Sequence, residues 1–90
     1  AAGGPTGDHA RALRVRSLSK LGRHGAAADA AEDYLSEHPN GANVEDVLFL
    51  LGYSRIGAGD DSAGRLSLRR YLQAYPRGRY ANQAEKLLSR

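Results

Sequence analysis

Ninety residues with a formal charge of +3 make one small domain, which buries only about 60–65% of the surface its unfolded chain exposes. The chain has no cysteine, which excludes disulfide staples and thiolate metal sites. Its longest apolar run, Val47-Leu48-Phe49-Leu50-Leu51, falls far short of the roughly 20 residues a membrane helix needs. Charge comes in blocks. Arg11, Arg14, Arg16, Lys20 and Arg23 form a basic stretch, followed by the acids Asp29, Glu32, Asp33, Glu37, Glu45 and Asp46. Arg65, Arg69, Arg70, Arg77 and Arg79 are basic again. Stacked helices are expected to neutralise one another's blocks.

Residues 1–7 (AAGGPTG) are Gly/Pro-rich and read as a flexible linker or a remnant of cloning, and the chain opens at Ala1 without Met, as a mature or excised fragment would. Asp8 is the expected N-cap of a first helix reaching about Leu21, with Ala10, Leu13, Leu18 and Leu21 as its inner stripe. Gly22 and Gly25 break it. A second helix runs from Ala26 to about Glu37 and turns Ala27, Ala31, Tyr34 and Leu35 inward. Its many alanines point to close helix packing, and Pro39 ends it. Asn43 is the expected cap of a third helix carrying Val44, Val47, Leu48, Leu51 and Ile56. Gly57 and Gly59 close that helix. Asp60 or Asp61 caps a fourth, with Ala63, Leu66, Leu68, Leu72 and Tyr75 inside and Pro76 and Gly78 as the stop. A fifth helix starts near Arg79 and carries Ala81, Ala84, Leu87 and Leu88. No stretch has a β-period, and the short connections make consecutive helices antiparallel neighbours.

One segment occurs twice. Tyr34-Leu35-Ser36-Glu37-His38-Pro39-Asn40-Gly41 returns 37 residues later as Tyr71-Leu72-Gln73-Ala74-Tyr75-Pro76-Arg77-Gly78. Tyr, Leu, Pro and Gly recur, and the His38 ring is matched by the Tyr75 ring. A fixed period of this size marks a stacked helical repeat.

This pattern resembles the tetratricopeptide repeat, a helix–turn–helix unit of about 34 residues. The family's late proline falls on Pro39 and Pro76, its turn glycine on Gly22 and Gly59, and its small second-helix residue on Ala27 and Gly64. The first-helix Leu-Gly pair falls on Leu51-Gly52 in the second unit, while the first unit has Arg14-Val15 there. The first-helix Trp and Tyr are missing from both units. The resemblance implies an all-α solenoid of about five antiparallel helices in two and a half repeats. A single domain over 8–90 then divides into units at 8–41 and 45–78 and a half unit at 79–90. The wording of the repeat, aromatic-Leu-x-x-aromatic-Pro-x-Gly, is similar to bacterial envelope proteins of the outer-membrane assembly lipoprotein and Tol–Pal coordinator types. That likeness implies a periplasmic or envelope-associated protein, with a cytoplasmic one as the alternative.

Catalysis is not indicated. His9, His24 and His38 form no ligand motif, Gly22-Arg23-His24-Gly25 reads as a turn, and no carboxylate pair or phosphate loop is present. No cofactor or metal is expected. Basic stripes at Arg16, Lys20 and Arg23 and at Arg65, Arg69 and Arg70 could track phosphates. However, the acidic block lies between them and no aromatic is interleaved for base stacking.

The resemblance instead implies a concave groove that binds a peptide or protein. Its first-helix positions fall on His9, Ala12, Arg16, Ser19 and Lys20, then on Asp46, Phe49, Tyr53, Ile56 and Gly57, and on Gln83 and Lys86 in the half unit. The expected partner-binding set is His9, Arg16, Lys20, Asp46, Phe49, Tyr53, Gln83 and Lys86. Phe49 and Tyr53, at i and i+4, would form an aromatic ledge with a charged rim, although Phe49 also reads as plain core. Self-association is the alternative, because Ala84, Leu87 and Leu88 of the last helix have no following helix to cover them.

Overall fold

The structure, a computed structural model, describes residues 5–90. Five helices follow one another: α1 (Pro5–Lys20), α2 (His24–Glu37), α3 (Val44–Gly57), α4 (Asp61–Ala74) and α5 (Ala81–Leu88). Among the described residues there is no strand. The period of the sequence is the period of the fold: α2 and α4 start and stop 37 residues apart, as do the end of α1 and the end of α3. Gly22 and Gly59 carry the positive φ angles (76° and 94°) that let the chain reverse between the helices of each pair. Both turn glycines are therefore where the repeat register puts them.

Each repeat is closed by the same buried clamp. Tyr34 is completely buried. Its hydroxyl donates to Asp8 Oδ1 at 2.5 Å and accepts the backbone N–H of Asn43 at 3.0 Å. The other Asp8 oxygen accepts the N–H of Ala42 at 2.9 Å. One period later the buried Tyr71 donates to Glu45 Oε2 at 2.8 Å and accepts the N–H of Tyr80 at 2.9 Å. Glu45 accepts the N–H of Arg79 at 2.8 Å. Three pieces of chain are thus tied together: the start of one helix, the end of its partner, and the turn leading into the next repeat. Backbone groups at this turn have no helical partners, and the clamp supplies them.

The clamp accounts for the recurring glycine. A Cβ on Gly41 would collide with the Tyr34 hydroxyl and the Asp8 carboxylate, and one on Gly78 with the Tyr71 hydroxyl and Glu45. The preceding rings, His38 and Tyr75, lean on the clamp tyrosines at centroid distances of 5.3 and 5.5 Å. Tyr, aromatic ring and Gly recur because one turn geometry needs all three.

Several expectations change here. Helix α1 begins at Pro5, so residues 5–7 are helical, and the linker reading otherwise falls on residues outside those described. Asp8 is not a cap; it lies inside α1, where its carboxylate serves the clamp. Asn43 does precede α3, but its side chain makes no capping bond and donates to Asp8 instead. Asp60 does cap α4, accepting from the N–H of Ala63.

The inner stripe of α1 is also different. Ala10, Leu13 and Leu21 are exposed, and the buried face is Asp8, Ala12 and Val15. Both sets have helical spacing. Asp8 decides between them, because turning its carboxylate toward Tyr34 rotates Ala10 and Leu13 outward. Leu66 on α4 is likewise 58% exposed, with Tyr71 and Leu68 filling the interior instead.

The core is continuous but has two centres. Val15, Ala28, Ala31, Tyr34, Val47 and Leu51 pack between α1, α2 and α3. Leu48, Phe49, Leu68, Tyr71 and Ala84 pack between α3, α4 and α5. Gly52 and Gly64 allow α3 and α4 to touch: a Cβ on Gly64 would strike Ile56, and one on Gly52 would strike Leu68. The equivalent crossing of α1 and α2 is filled by Val15 and Ala27, both fully buried. Helix α5 does not carry a bare stripe. Ala84 is fully buried and Leu87 and Leu88 pack against the second core centre. Arg65 donates to the Leu87 and Leu88 carbonyls and so closes the C-terminal end of α5. The first basic block pairs with the acidic one as expected, through Arg11–Glu37, and Arg55, outside the blocks, pairs with Glu32. These pairs are largely solvated, so each adds little stability.

Two outcomes follow for stability. Gly41→Ala and Gly78→Ala should each cost about 1–3 kcal/mol in urea unfolding, because the added methyl overpacks a pinned clamp. Gly25→Ala, with open space around its Cβ, should be neutral or stabilising.

The clamp also sets the pH range. Hydrogen bonds from Asn43 and Tyr34 hold Asp8 below its ordinary value of 3.8, so its contribution is complete above that pH and disappears as pH falls below it. Burial pushes Tyr34 and Tyr71 up to about 12, so their contribution is complete below the ordinary 10.0 and is lost as pH rises toward 12. A tyrosinate absorbance titration should show two of the five tyrosines ionising only as the fold is lost. Ionisation of all five with the helical signal intact would contradict the clamp.

Candidate functional site

The first helices of the successive repeats, α1, α3 and α5, present the residues that the repeat register assigns to a groove. Between α3 and α5 lies a cavity of about 460 Å³, lined by Phe49, Leu50, Tyr53, Tyr80, Gln83, Lys86, Leu87 and Arg90. Four members of the expected set meet there: Phe49, Tyr53, Gln83 and Lys86. The lining contains apolar and aromatic surface and two cations, and no carboxylate.

The floor is built from stacked rings. Phe49 lies flat against Tyr80, with centroids 4.7 Å apart and planes 9° apart. Its other neighbours are the edge of Tyr71 at 5.9 Å and the face of Tyr53 at 6.2 Å. Phe49 is only 5% exposed, so it is core and cavity floor at once. Tyr53, one turn further along α3, is 41% exposed and forms the wall. The His24 ring meets it edge-on at 6.1 Å, so Tyr53 is held between His24 and Phe49. Rings fixed in this way offer area to a ligand with little further loss of entropy.

Beside the floor, Asp46 is committed within the protein. It is 6% exposed, pairs with Arg16 at 2.6 Å and with Arg79 at 3.0 Å, and so bridges α1 to the turn before α5. Arg79 also feels the charge of Glu45, so two guanidiniums and two carboxylates balance one another here. Tyr80 links this triad to the cavity; burial and then the charge of Asp46 raise its pKa. His9 and Lys20 are exposed on α1 and do not line the cavity.

The expected groove set lacks Leu50, Tyr80, Leu87 and Arg90, of which Leu87 enters the sequence reading only as part of the apolar stripe of the last helix. The repeat register held a signal for them, since Leu50 and Leu87 are one period apart and so are Tyr53 and Arg90. Tyr80 was hidden because its counterpart is the polar Asn43.

The basic stripes are partly used up. Arg16 serves Asp46, and Arg65 serves the carbonyls of α5. Among the described residues no group of three His, Cys, Asp or Glu is placed to hold a metal. No helix among them is long and apolar enough to cross a membrane.

Replacing Asp46 by Asn should cost about 1–3 kcal/mol, because two guanidiniums then face each other without their shared counterion. In a double-mutant cycle with Arg16→Ala, the two losses should be less than additive. Additive losses would show that the triad carries no coupling.

A family model described as tetratricopeptide repeat matches residues 46–78. No curated protein and no solved structure matches the chain. The matched segment contains α4 and nearly all of α3, together with the Pro76–Gly78 turn. Repeats of this kind generally mediate protein–protein interactions, and the chain folds as an all-α helical repeat whose second unit is similar to the tetratricopeptide repeat.

Proposed function

We propose that this protein is a non-catalytic interaction module that holds a segment of a partner protein in the groove of α1, α3 and α5. The observation that supports this reading is the cavity between α3 and α5, where rigid rings and a polar rim converge. Its size, about 460 Å³, falls within the range of binding clefts. A floor of stacked rings flanked by long polar side chains is the arrangement of an interface hot spot, with an apolar anchor at the centre and a wet rim. Tyr53 carries the anchor's wall, Phe49 and Tyr80 its floor, and Gln83 and Lys86 the rim that fixes register. On α1, His9, Arg16 and Lys20 extend the same face toward the amino-terminal end of the groove. The envelope setting implied by the wording of the repeat belongs to this proposal, and fractionation of the source cells tests it.

The groove reading is tested by selecting binders from a random-sequence peptide display library on the immobilised protein. Selected peptides should lose roughly 1–3 kcal/mol of affinity on Tyr53→Ala, while helix content and unfolding midpoint stay near wild type because the ring is half exposed. Leu66→Ala, on the opposite helix of the pair, should leave affinity unchanged. Peptides insensitive to Tyr53→Ala would place binding elsewhere.

A further inference from the structure

The groove as proposed needs only a partner segment of some kind, and the charge around the cavity narrows its chemistry. We infer that the cavity between α3 and α5 takes an acidic peptide segment. One large apolar side chain would lie on the Phe49–Tyr80 floor, and a neighbouring carboxylate would be held by Lys86 and Arg90. This inference rests on the groove reading and adds the ligand's class to it.

Three observations carry it. First, the cavity has one apolar end and one cationic end: Phe49, Leu50, Tyr80 and Leu87 supply the former, Lys86 and Arg90 the latter. Second, among the described residues neither cation lies within ion-pairing distance of a side-chain carboxylate. The described ion pairs use Arg11, Arg16, Arg55 and Arg79, each with an internal acid, and leave Lys86 and Arg90 out. Third, two acids on α3 are committed elsewhere: Asp46 is buried and shared by two arginines, and Glu45 is held by the Tyr71 hydroxyl and the Arg79 N–H, so neither pairs with the rim cations. An incoming base would meet Lys86 and Arg90, whereas a carboxylate would pair with them. The electrostatic part acts mainly on encounter and selectivity, and the rings provide the affinity.

The size fits a short motif better than a bare ion. A cavity of this volume accommodates a bulky side chain with part of its flanking backbone. Lys86 follows Gln83 by one turn of α5, Arg90 lies just past the end of that helix, and all three line the cavity. An extended peptide lying along α5 would pass its anchor first and its acid next.

The test uses the same display selection, with charge as its readout. Peptides enriched on the wild-type protein should be rich in Asp and Glu around one aromatic or long aliphatic residue. A synthetic acidic peptide with a Phe anchor should bind at least about tenfold tighter than the same peptide with Lys replacing every acid, and the preference should shrink as salt is raised. The double variant Lys86→Glu/Arg90→Glu should reverse the preference, and both side chains are exposed enough for the fold to tolerate it. Circular dichroism checks that tolerance, and Lys86→Gln/Arg90→Gln provides a milder second variant that should erase the preference.

Peptides that depend on Tyr53 but show no charge preference, or a preference unchanged by both double variants, would overturn the acidic class and leave the groove reading standing. Peptides that ignore Tyr53 altogether would overturn both.

Discussion

A tyrosine hydroxyl shared between a carboxylate and a backbone N–H is the contact on which the rest of this structure depends. In each repeat the second helix supplies the tyrosine, the start of the first helix supplies the acid, and the following turn supplies the amides. Burying a tyrosine and a carboxylate is costly unless all their polar atoms find partners. Here they do, and the partners come from three separate stretches of chain. The clamp therefore fixes where the next repeat begins. Because the same bonds recur 37 residues later, α3 is set on α2 in the way α5 is set on α4.

The groove follows from that register. The second clamp places Tyr80, whose N–H it holds, and the ring of Tyr80 then stacks on Phe49. Helix α5 starts directly afterwards and brings Gln83, Lys86 and Leu87 opposite α3. One hydrogen-bonded turn thus serves both stability and the shape of the cavity. The small residues at the α3–α4 crossing complete the arrangement: Gly52 and Gly64 let the two helices approach, and Leu68 fills the space beside them. With little bulky aliphatic core available, such exact fits carry more of the stability than they would in a larger domain.

Charge is spent in two ways. The exposed pairs join neighbouring helices and mainly keep those helices from repelling one another. Asp46 is different, because it is buried and ties α1 to the turn before α5. Its commitment to internal partners leaves Lys86 and Arg90 as the charges that line the cavity. Whether a charge is structural or available for binding depends here on depth and neighbours, and residue type alone does not reveal either.

The sequence by itself determined the number of helices, their antiparallel order, the turn glycines at Gly22 and Gly59 and the repeat register, since these follow from local backbone preferences and a period visible in one dimension. It also brought Phe49, Tyr53, Gln83 and Lys86 to one surface, because one register places equivalent helices side by side. Only the tertiary structure decided which face of α1 is inside. Two helical stripes competed there, and the deciding contact joins Asp8 to a tyrosine 26 residues away. The structure alone also turned Asp46 inward, paired Arg65 with carbonyls at the end of α5, and stacked Tyr80 on Phe49. Each of these is a long-range pairing of polar or aromatic groups. A periodic pattern records which side of a helix is apolar, but it does not record which buried polar group will find a partner across the fold.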